Sequence, residues 1–367
     1  MPTSYRVAII GSTGRGDYGH GIDTVWKEIP QARVVAVADE NAEGRAKAAE
    51  RMEASAAYAD YREMLDKERP QIVSICPRWV DRHAEFALAC LERGIHVYME
   101  KPFCRTLEEA DRIIRAGEMT HAKLALGHQT RYCPIIPVVQ RMIADGKIGT
   151  ILEIRGRGKE DQRGGVEDFW VLGSHMLNMM TVFAGQPLSC SGTLSINDRP
   201  VTKRDIAEGA EGLGPMAGDA VRAEFQFPKG IVGYFNSRRN QGGNPARFAI
   251  QIFGSKGIIE YPSGYLPPVS FLPDPSWSPG RSNTRWSRVT SAGIDQPEPL
   301  TTGTPAGNIV AVNDLLSAIE SDRQPLCSAY DGRTILEMIM GVFESHRVGK
   351  PVSVPLENRG HPLAKLN

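Results

Sequence analysis

Arg6-Val-Ala-Ile-Ile10, then Gly11-Ser-Thr-Gly-Arg-Gly-Asp-Tyr-Gly-His-Gly21, then Arg33-Val-Val-Ala-Val-Ala38 closing on Asp39: this stretch decides the fold. Two continuous apolar runs bracket a loop rich in glycine, and residues 22 to 29 between them carry a helical pattern. Strand, glycine loop, helix, strand, acid is a dinucleotide-binding unit. Its glycines let the backbone approach a pyrophosphate, its helix N-terminus faces the negative charge, and the acid takes the ribose hydroxyls. The literal pattern is Gly14-x-Gly16-x-x-Gly19, with Asp39 twenty residues beyond. Since the strand already ends at Gly11, Gly11-Ser12-Thr13 reads as a loop extension ahead of those glycines. A carboxylate at 39 repels a 2′-phosphate and so favours NAD over NADP, while Arg15 and Arg45 are the side chains that would pair with such a phosphate.

The rhythm continues along the chain. A helix over 41 to 54 precedes Gln71-Ile-Val-Ser-Ile75, a third buried strand, and Cys76-Pro77-Arg78 follows at its carboxyl end. A helix over 83 to 93 leads to Ile95-His-Val-Tyr-Met99, which runs into Glu100-Lys101-Pro102, a triplet no helix would continue. Lys101 therefore closes a strand at the sheet edge where ligands bind in open α/β folds. Thr106-Leu-Glu-Glu109 is a capping box for a helix to about 120. Lys123-Leu-Ala-Leu126 is a further strand, and Gln129 in the loop after it joins the candidate cofactor contacts. Strands alternating with helices predict a doubly wound parallel sheet with right-handed crossovers.

Past a helix at about 134 to 145 the pattern changes. Ile151 to Lys159 alternates strictly, with Glu153, Arg155, Arg157 and Lys159 on one face and Leu152 and Ile154 on the other. Residues 220–227, 230–236, 248–253 and 257–261 read as antiparallel strands joined by turns at Pro228-Lys-Gly and Gly254-Ser-Lys-Gly. Residues 262 to 308 form a long excursion with little periodicity, and its Trp277, Arg281 and Trp286 either cap a pocket or pack an interface. Helices near 309–321 and 331–347 and the run Val352-Ser-Val close the chain. The predicted organisation is a Rossmann domain over 1–127 and, over 128–367, an α+β domain with an open-faced, mostly antiparallel sheet, the seat of substrate binding and oligomerisation.

Composition narrows the function. With 43 basic and 43 acidic residues in 367, the chain lacks the cationic excess of a nucleic-acid binder. Six scattered cysteines without a Cys-x-x-Cys pair suit free thiols in a reducing compartment and point to no metal site. The N-terminus leads straight into a strand and no apolar run has membrane length, so a soluble cytoplasmic protein without membrane partners is expected.

On Asp39, Cys76-Pro77-Arg78 with His83, Glu100-Lys101-Pro102, Arg131-Tyr132, Gly173-Ser-His175 and the Asp331-Gly332 helix with Ser345, the chain resembles the Gfo/Idh/MocA family of sugar and polyol oxidoreductases over almost its whole length. The resemblance implies a Rossmann domain followed by an open-faced mixed sheet, with homodimers or homotetramers paired across that face. It also implies a lysine and a histidine facing the nicotinamide, and NAD as cofactor. The family's usual second-domain motif has an Asp four residues before the histidine and an acid three after it. Here those positions are Val171 and Asn178, and Asp168, Glu167 and Lys159 are the candidates for the missing polarity.

Oxidising a secondary alcohol needs a base within hydrogen-bond reach of the hydroxyl and a hydride acceptor over the carbinol carbon. His175 is assigned as base and Lys101 as polarising cation, or the two with roles exchanged. Asp168 completes the candidate catalytic set. Gly11, Ser12, Thr13, Gly14, Gly16, Asp39, Cys76, Pro77, Arg78, Glu100, Lys101 and Gln129 are the candidate cofactor residues. Arg131, Lys159, Asp161, Arg163, Trp170 and His175 are the candidate substrate residues, a donor-rich group with one platform for a sugar ring. Three functions remain open: NAD-dependent oxidation of a sugar, sugar acid or glycoside hydroxyl; glycoside cleavage by transient C3 oxidation and β-elimination with internal return of the hydride; and a non-enzymatic ligand sensor that kept the fold.

Overall fold

Six short parallel strands, β1 (Tyr5–Ile10), β2 (Ala32–Ala38), β3 (Ala56–Tyr58), β4 (Ile72–Ile75), β5 (His96–Met99) and β6 (Leu124–Leu126), form one sheet in the order β3-β2-β1-β4-β5-β6. The computed structural model describes residues 4–301 and 306–366. From β1 the chain winds outward in both directions, so β1 and β4 flank the point where the strand order reverses. Ligands bind at the carboxyl ends of strands beside such a point. The crossover segments include α1 (Ala42–Met52), α2 (Tyr61–Glu68), α3 (His83–Leu91) and α4 (Leu107–Thr120). Both faces of the sheet are covered, which is why β1, β4 and β5 read as nearly unbroken apolar runs.

Local signals act largely as the sequence predicts. At the start of α4 the Thr106 hydroxyl accepts the Glu109 N–H at 3.2 Å, while the Glu109 carboxylate takes the N–H of Arg105, not that of Thr106, at 2.8 Å. A cap of this kind contributes about 1 kcal/mol. Residues 22 to 29 depart from the predicted helix: only a single 3-10 segment forms, Thr24–Glu28. Pro30 forces the residue before it out of helical backbone, and Ile29 is extended, with φ −111° and ψ 99°. One such turn carries little of the dipole on which a phosphate-binding helix relies.

The second unit is built on a mixed sheet, with α5 (Ile136–Ala144) ahead of it in the chain. Its strands are β7 (Ile151–Arg157), β8 (Ser189–Ile196), β9 (Arg199–Pro200), β12 (Ala220–Gln226), β13 (Val232–Arg238), β14 (Ala249–Gly254), β15 (Gly257–Pro262), β16 (Val269–Leu272), β17 (Ser287–Thr290), β18 (Gly293–Ile294) and β19 (Val352–Ser353). Between β9 and β12, β10 (Ala207–Glu208) and β11 (Pro215–Met216) make a separate two-stranded arm. All pairings in the large sheet are antiparallel except β13 with β7. On one face lie α6 (Val166–Val171) and α7 (Gly173–Ala184), with Phe169 against Phe235 at 5.0 Å. Polar side chains alternate on the other: Glu224, Tyr234, Arg155, Gln251 and Glu260 stand in one cross-strand row.

The excursion from 262 onward is more ordered than its composition suggests, although 302–305 lie outside the described residues. β16 to β18 extend the sheet edge, and Trp277 donates to the Gly254 carbonyl at 2.8 Å while its ring meets Phe253 at 5.0 Å. Trp277 thus packs, partly buried, against a small core of Phe253, Ile258 and Leu272.

The division into units is not one cut after residue 127. The first unit runs to Gln129 and takes back Ala210–Gly214 and the segment ending at Arg333, which contains the helix Ala306–Glu320. Asn308 on that helix explains the return: it accepts from Tyr98 at 2.9 Å and from Gln129 at 3.3 Å, and donates to the His20 carbonyl at 2.8 Å. No helix among the described residues is long and apolar enough to cross a membrane.

Candidate functional site

In the first unit the loop after β1 closes on itself. Ser12 and Asp17 exchange backbone hydrogen bonds at 3.2 and 3.0 Å, the Arg15 N–H donates to the Ser12 carbonyl at 2.9 Å, and the Gly14 N–H donates to the Asp17 carboxylate at 2.9 Å. Asp39, 3 % exposed at the end of β2, accepts on Oδ2 from the Thr13 N–H (3.0 Å), the Thr13 hydroxyl (2.7 Å) and the Tyr18 hydroxyl (2.9 Å). Its Oδ1 accepts the Asn41 N–H at 2.9 Å. Thr13 is therefore placed as a support of Asp39, with both its donors spent there, and not as a phosphate contact. Burial and the neighbouring Asp39 push the Tyr18 phenol well above its ordinary range, so it remains a donor at any physiological pH.

Both arginines that would attract a 2′-phosphate are engaged. Arg45 bonds the Asp39 carbonyl at 2.6 Å, and Arg15 pairs with Asp81 beneath the Trp79 ring, 5.0 Å away. A cleft lined by Ile10, Gly11, Ser12, Asp39, Glu40 and Arg82 runs beside the carboxylate. Space is open where a Cβ would stand on Gly14, at φ +83°. These residues fit the adenosine end of NAD: an acid stands at the strand edge, glycine backbone runs alongside, and the two arginines are turned to other partners.

At the other end of the crevice, loop and strand ends interlock. The Arg78 N–H donates to the Gly16 carbonyl at 3.1 Å, and Gly16 admits no Cβ because Arg78 and Trp79 backbone stand 2.5 Å from that position. Buried Glu100 takes the His20 ring at 3.2 Å and its N–H at 3.4 Å. Cys76 is buried and desolvation raises its thiol well above the ordinary value, so its backbone, not a thiolate, is what it offers. Beside it, His83 bonds the Pro77 and Pro102 carbonyls at 2.7 and 2.6 Å. Lys101, at the carboxyl end of β5, is 6 % exposed.

In the second unit His175 sits in the first turn of α7, its ring edge-on to Phe248 at 6.2 Å. Asn178 lies one turn further along and accepts from Arg131 at 3.4 Å, so Arg131 is brought to the histidine's helix. Lys159, Asp161 and Arg163 form an ion cluster beyond the end of β7: Arg163 meets Asp161 at 2.8 Å and Lys159 meets it at 3.7 Å. The Arg163 guanidinium holds the Asp161 carboxyl below the usual range.

Asp168 and Trp170, like Thr13, stand in other roles than predicted. Asp168 is fully buried and accepts the Lys159 N–H at 3.2 Å, the Glu160 N–H at 3.0 Å and the Ser237 hydroxyl. Enclosed by these donors, it holds a backbone turn and is not placed as a catalytic acid; burial raises its pKa. Trp170 is 1 % exposed, packed on Phe343 at 5.9 Å and stacked on His361 at 5.6 Å, so it belongs to the core and offers no platform to a sugar. Val171 is likewise buried.

Sequence reasoning missed Tyr18, Asn308 and Glu160. Glu160, buried in left-handed backbone at φ +60°, pairs with Arg157 at 2.9 Å and Arg247 at 3.3 Å and takes the Arg238 N–H at 2.9 Å. Tyr18 had a weak signal, an aromatic inside a glycine loop. Asn308 had none, standing 288 residues from its His20 partner.

Residues 5–128 match the model of an oxidoreductase family's NAD-binding Rossmann fold, and residues 140–354 match that family's C-terminal alpha/beta domain. The chain is 27 % identical over 262 residues to levoglucosan dehydrogenase of Pseudarthrobacter phenanthrenivorans, covering 64 % of this chain and 65 % of that enzyme. It is 24 % identical over 263 residues to myo-inositol 2-dehydrogenase of Thermotoga maritima, covering 68 % and 74 %. A solved levoglucosan dehydrogenase in complex with NADH and L-sorbose shares the fold at a TM-score of 0.79, with 21 % identity, over 96 % of this chain and 100 % of that one.

Proposed function

Because the chain belongs to the Gfo/Idh/MocA oxidoreductase family, whose NAD-binding Rossmann fold and C-terminal alpha/beta domain it carries in order, we propose that it is an NAD-dependent dehydrogenase. Its substrate is a secondary hydroxyl of a sugar, sugar acid or glycoside. The observation that carries the reading is Lys101: an ammonium 6 % exposed at the carboxyl end of β5, in a sheet of order β3-β2-β1-β4-β5-β6. Taking an ammonium out of water costs several kcal/mol, so a lysine held that deep at a ligand-binding strand end supports a role in the chemistry.

The nicotinamide, when bound, accepts the hydride from the carbinol carbon. In this reading His175 takes the hydroxyl proton and the Lys101 ammonium stabilises the oxygen as charge develops on it. Arg131, held by Asn178, and the cluster of Lys159, Asp161 and Arg163 supply donors to the other hydroxyls and to any carboxylate on the sugar. The test is NADH formation against a panel of neutral sugars, polyols, uronic acids and aryl glycosides. Lys101→Ala should abolish it while NADH still binds, and full activity in that variant removes the lysine from the chemistry.

A second reading, glycoside cleavage through transient oxidation, is favoured by one observation: apolar Val171 and neutral Asn178 stand where the family's second domain carries acids. Aglycone release at constant NADH would select it. Six buried cysteines outside any disulfide support a reducing, cytoplasmic setting. The polar open face of the mixed sheet supports a homodimer or homotetramer, which light scattering would measure.

A further inference from the structure

We propose that Thr13 and Tyr18 determine the dinucleotide preference of this chain by fixing where the Asp39 carboxylate stands; the proposal rests on use of the NAD-binding site described above. An acid at the end of β2 discriminates against a 2′-phosphate only if it cannot turn away. A lone carboxylate at a strand end rotates freely, and rotation would let the phosphate in.

Here rotation is blocked from every side. Three donors converge on Oδ2, from Thr13 twice and Tyr18 once, and a fourth from Asn41 reaches Oδ1. Each carboxylate oxygen has about two lone-pair directions, so Oδ2 is saturated and Oδ1 keeps one direction for a ribose hydroxyl. The two supports are themselves immobilised. The Tyr18 ring lies against Gly11, where any Cβ would collide with it, and the Arg51 guanidinium stands over the ring at 4.8 Å. Arg51 is in turn held by buried Asp23 at 2.6 and 3.1 Å. Thr13 is lodged against Gly44 in the first turn of α1, again where no Cβ fits. Gly11 and Gly44 are thus glycines for the sake of Tyr18 and Thr13, and the arrangement from Asp23 through Arg51 and Tyr18 to Asp39 forms one continuous brace.

If the brace sets preference, loosening it lowers discrimination without emptying the site. The experiment measures dissociation constants for NADH and NADPH by fluorescence, on the full chain and on Tyr18→Phe and Thr13→Val. Both substitutions remove a hydroxyl and preserve shape, so folding is retained, and thermal melts check it. The wild type should prefer NADH, and each variant should reduce the NADPH-to-NADH ratio of dissociation constants by roughly tenfold, the usual worth of a hydrogen bond to a charged group. In an Asp39→Asn background the Tyr18→Phe effect should vanish, which a merely structural role for the tyrosine would not produce.

A ratio that stays constant or rises in both variants overturns the proposal. So does a wild type without preference, or a Tyr18→Phe effect that persists in the Asp39→Asn background. Failure of the wild type to bind either dinucleotide would overturn the NAD reading of the site itself, a result distinct from a ratio that does not move.

Discussion

His83 clasps Pro102: its Nδ1 lies 2.6 Å from the Pro102 carbonyl, while Nε2 of the same buried ring lies 2.7 Å from the Pro77 carbonyl. One side chain therefore ties the loop after β4 to the loop that carries Lys101. Pro102 directly follows Lys101, so the tie bears on where the lysine stands.

His83→Ala should accordingly lower turnover by about a hundredfold, the usual consequence of misplacing a reacting group by an ångström. NADH affinity should change far less. Steady-state kinetics beside a fluorescence titration would check this, and unaltered kcat with intact folding would remove His83 from the positioning of Lys101.

Asp168→Ala should act on stability first. It strands two backbone N–H groups and the Ser237 hydroxyl in the core, at a cost of roughly 3 kcal/mol. A urea melt reports the loss. If stability were retained while catalysis vanished, the carboxylate would have to be returned to the chemistry.

Trp170→Phe tests the other reassignment. The smaller ring leaves a void beside Phe343 and His361 and should cost about 1–3 kcal/mol. KM for the sugar should not move. A KM raised tenfold at unchanged melting temperature would show that the indole touches substrate after all.

His96 makes stability depend on pH. Its Nδ1 accepts the Lys123 N–H at 2.9 Å, which needs the neutral ring, and burial followed by the Lys123 charge lowers its pKa from 6.5 to about 4. Between those values the unfolded chain binds a proton that the folded one does not. Stability therefore falls as pH drops from 6.5 toward 4, by about 3 kcal/mol at most. His96→Asn, which keeps an acceptor for Lys123, should flatten that slope in chemical denaturation at stepped pH; an identical slope would acquit the histidine.

What the sequence determined alone is the chain's architecture and the landmarks on it. Apolar runs, Gly11 to Gly21, Asp39, and Lys101 after β5 are local signals: strand periodicity, glycine spacing and a Lys-Pro stop act within a few residues, and each survives any arrangement of the rest. Where the side chains point was decided by tertiary structure. Asp168 and Trp170 carry the residue types of a site, yet one is enclosed by Ser237 from β13 and the other by Phe343 and His361. Thr13 and Tyr18 turn to Asp39, and Asn308 returns from far along the chain to His20. A polar side chain goes to whichever partner spares it an unpaired burial, and those partners are neighbours only after the chain has folded.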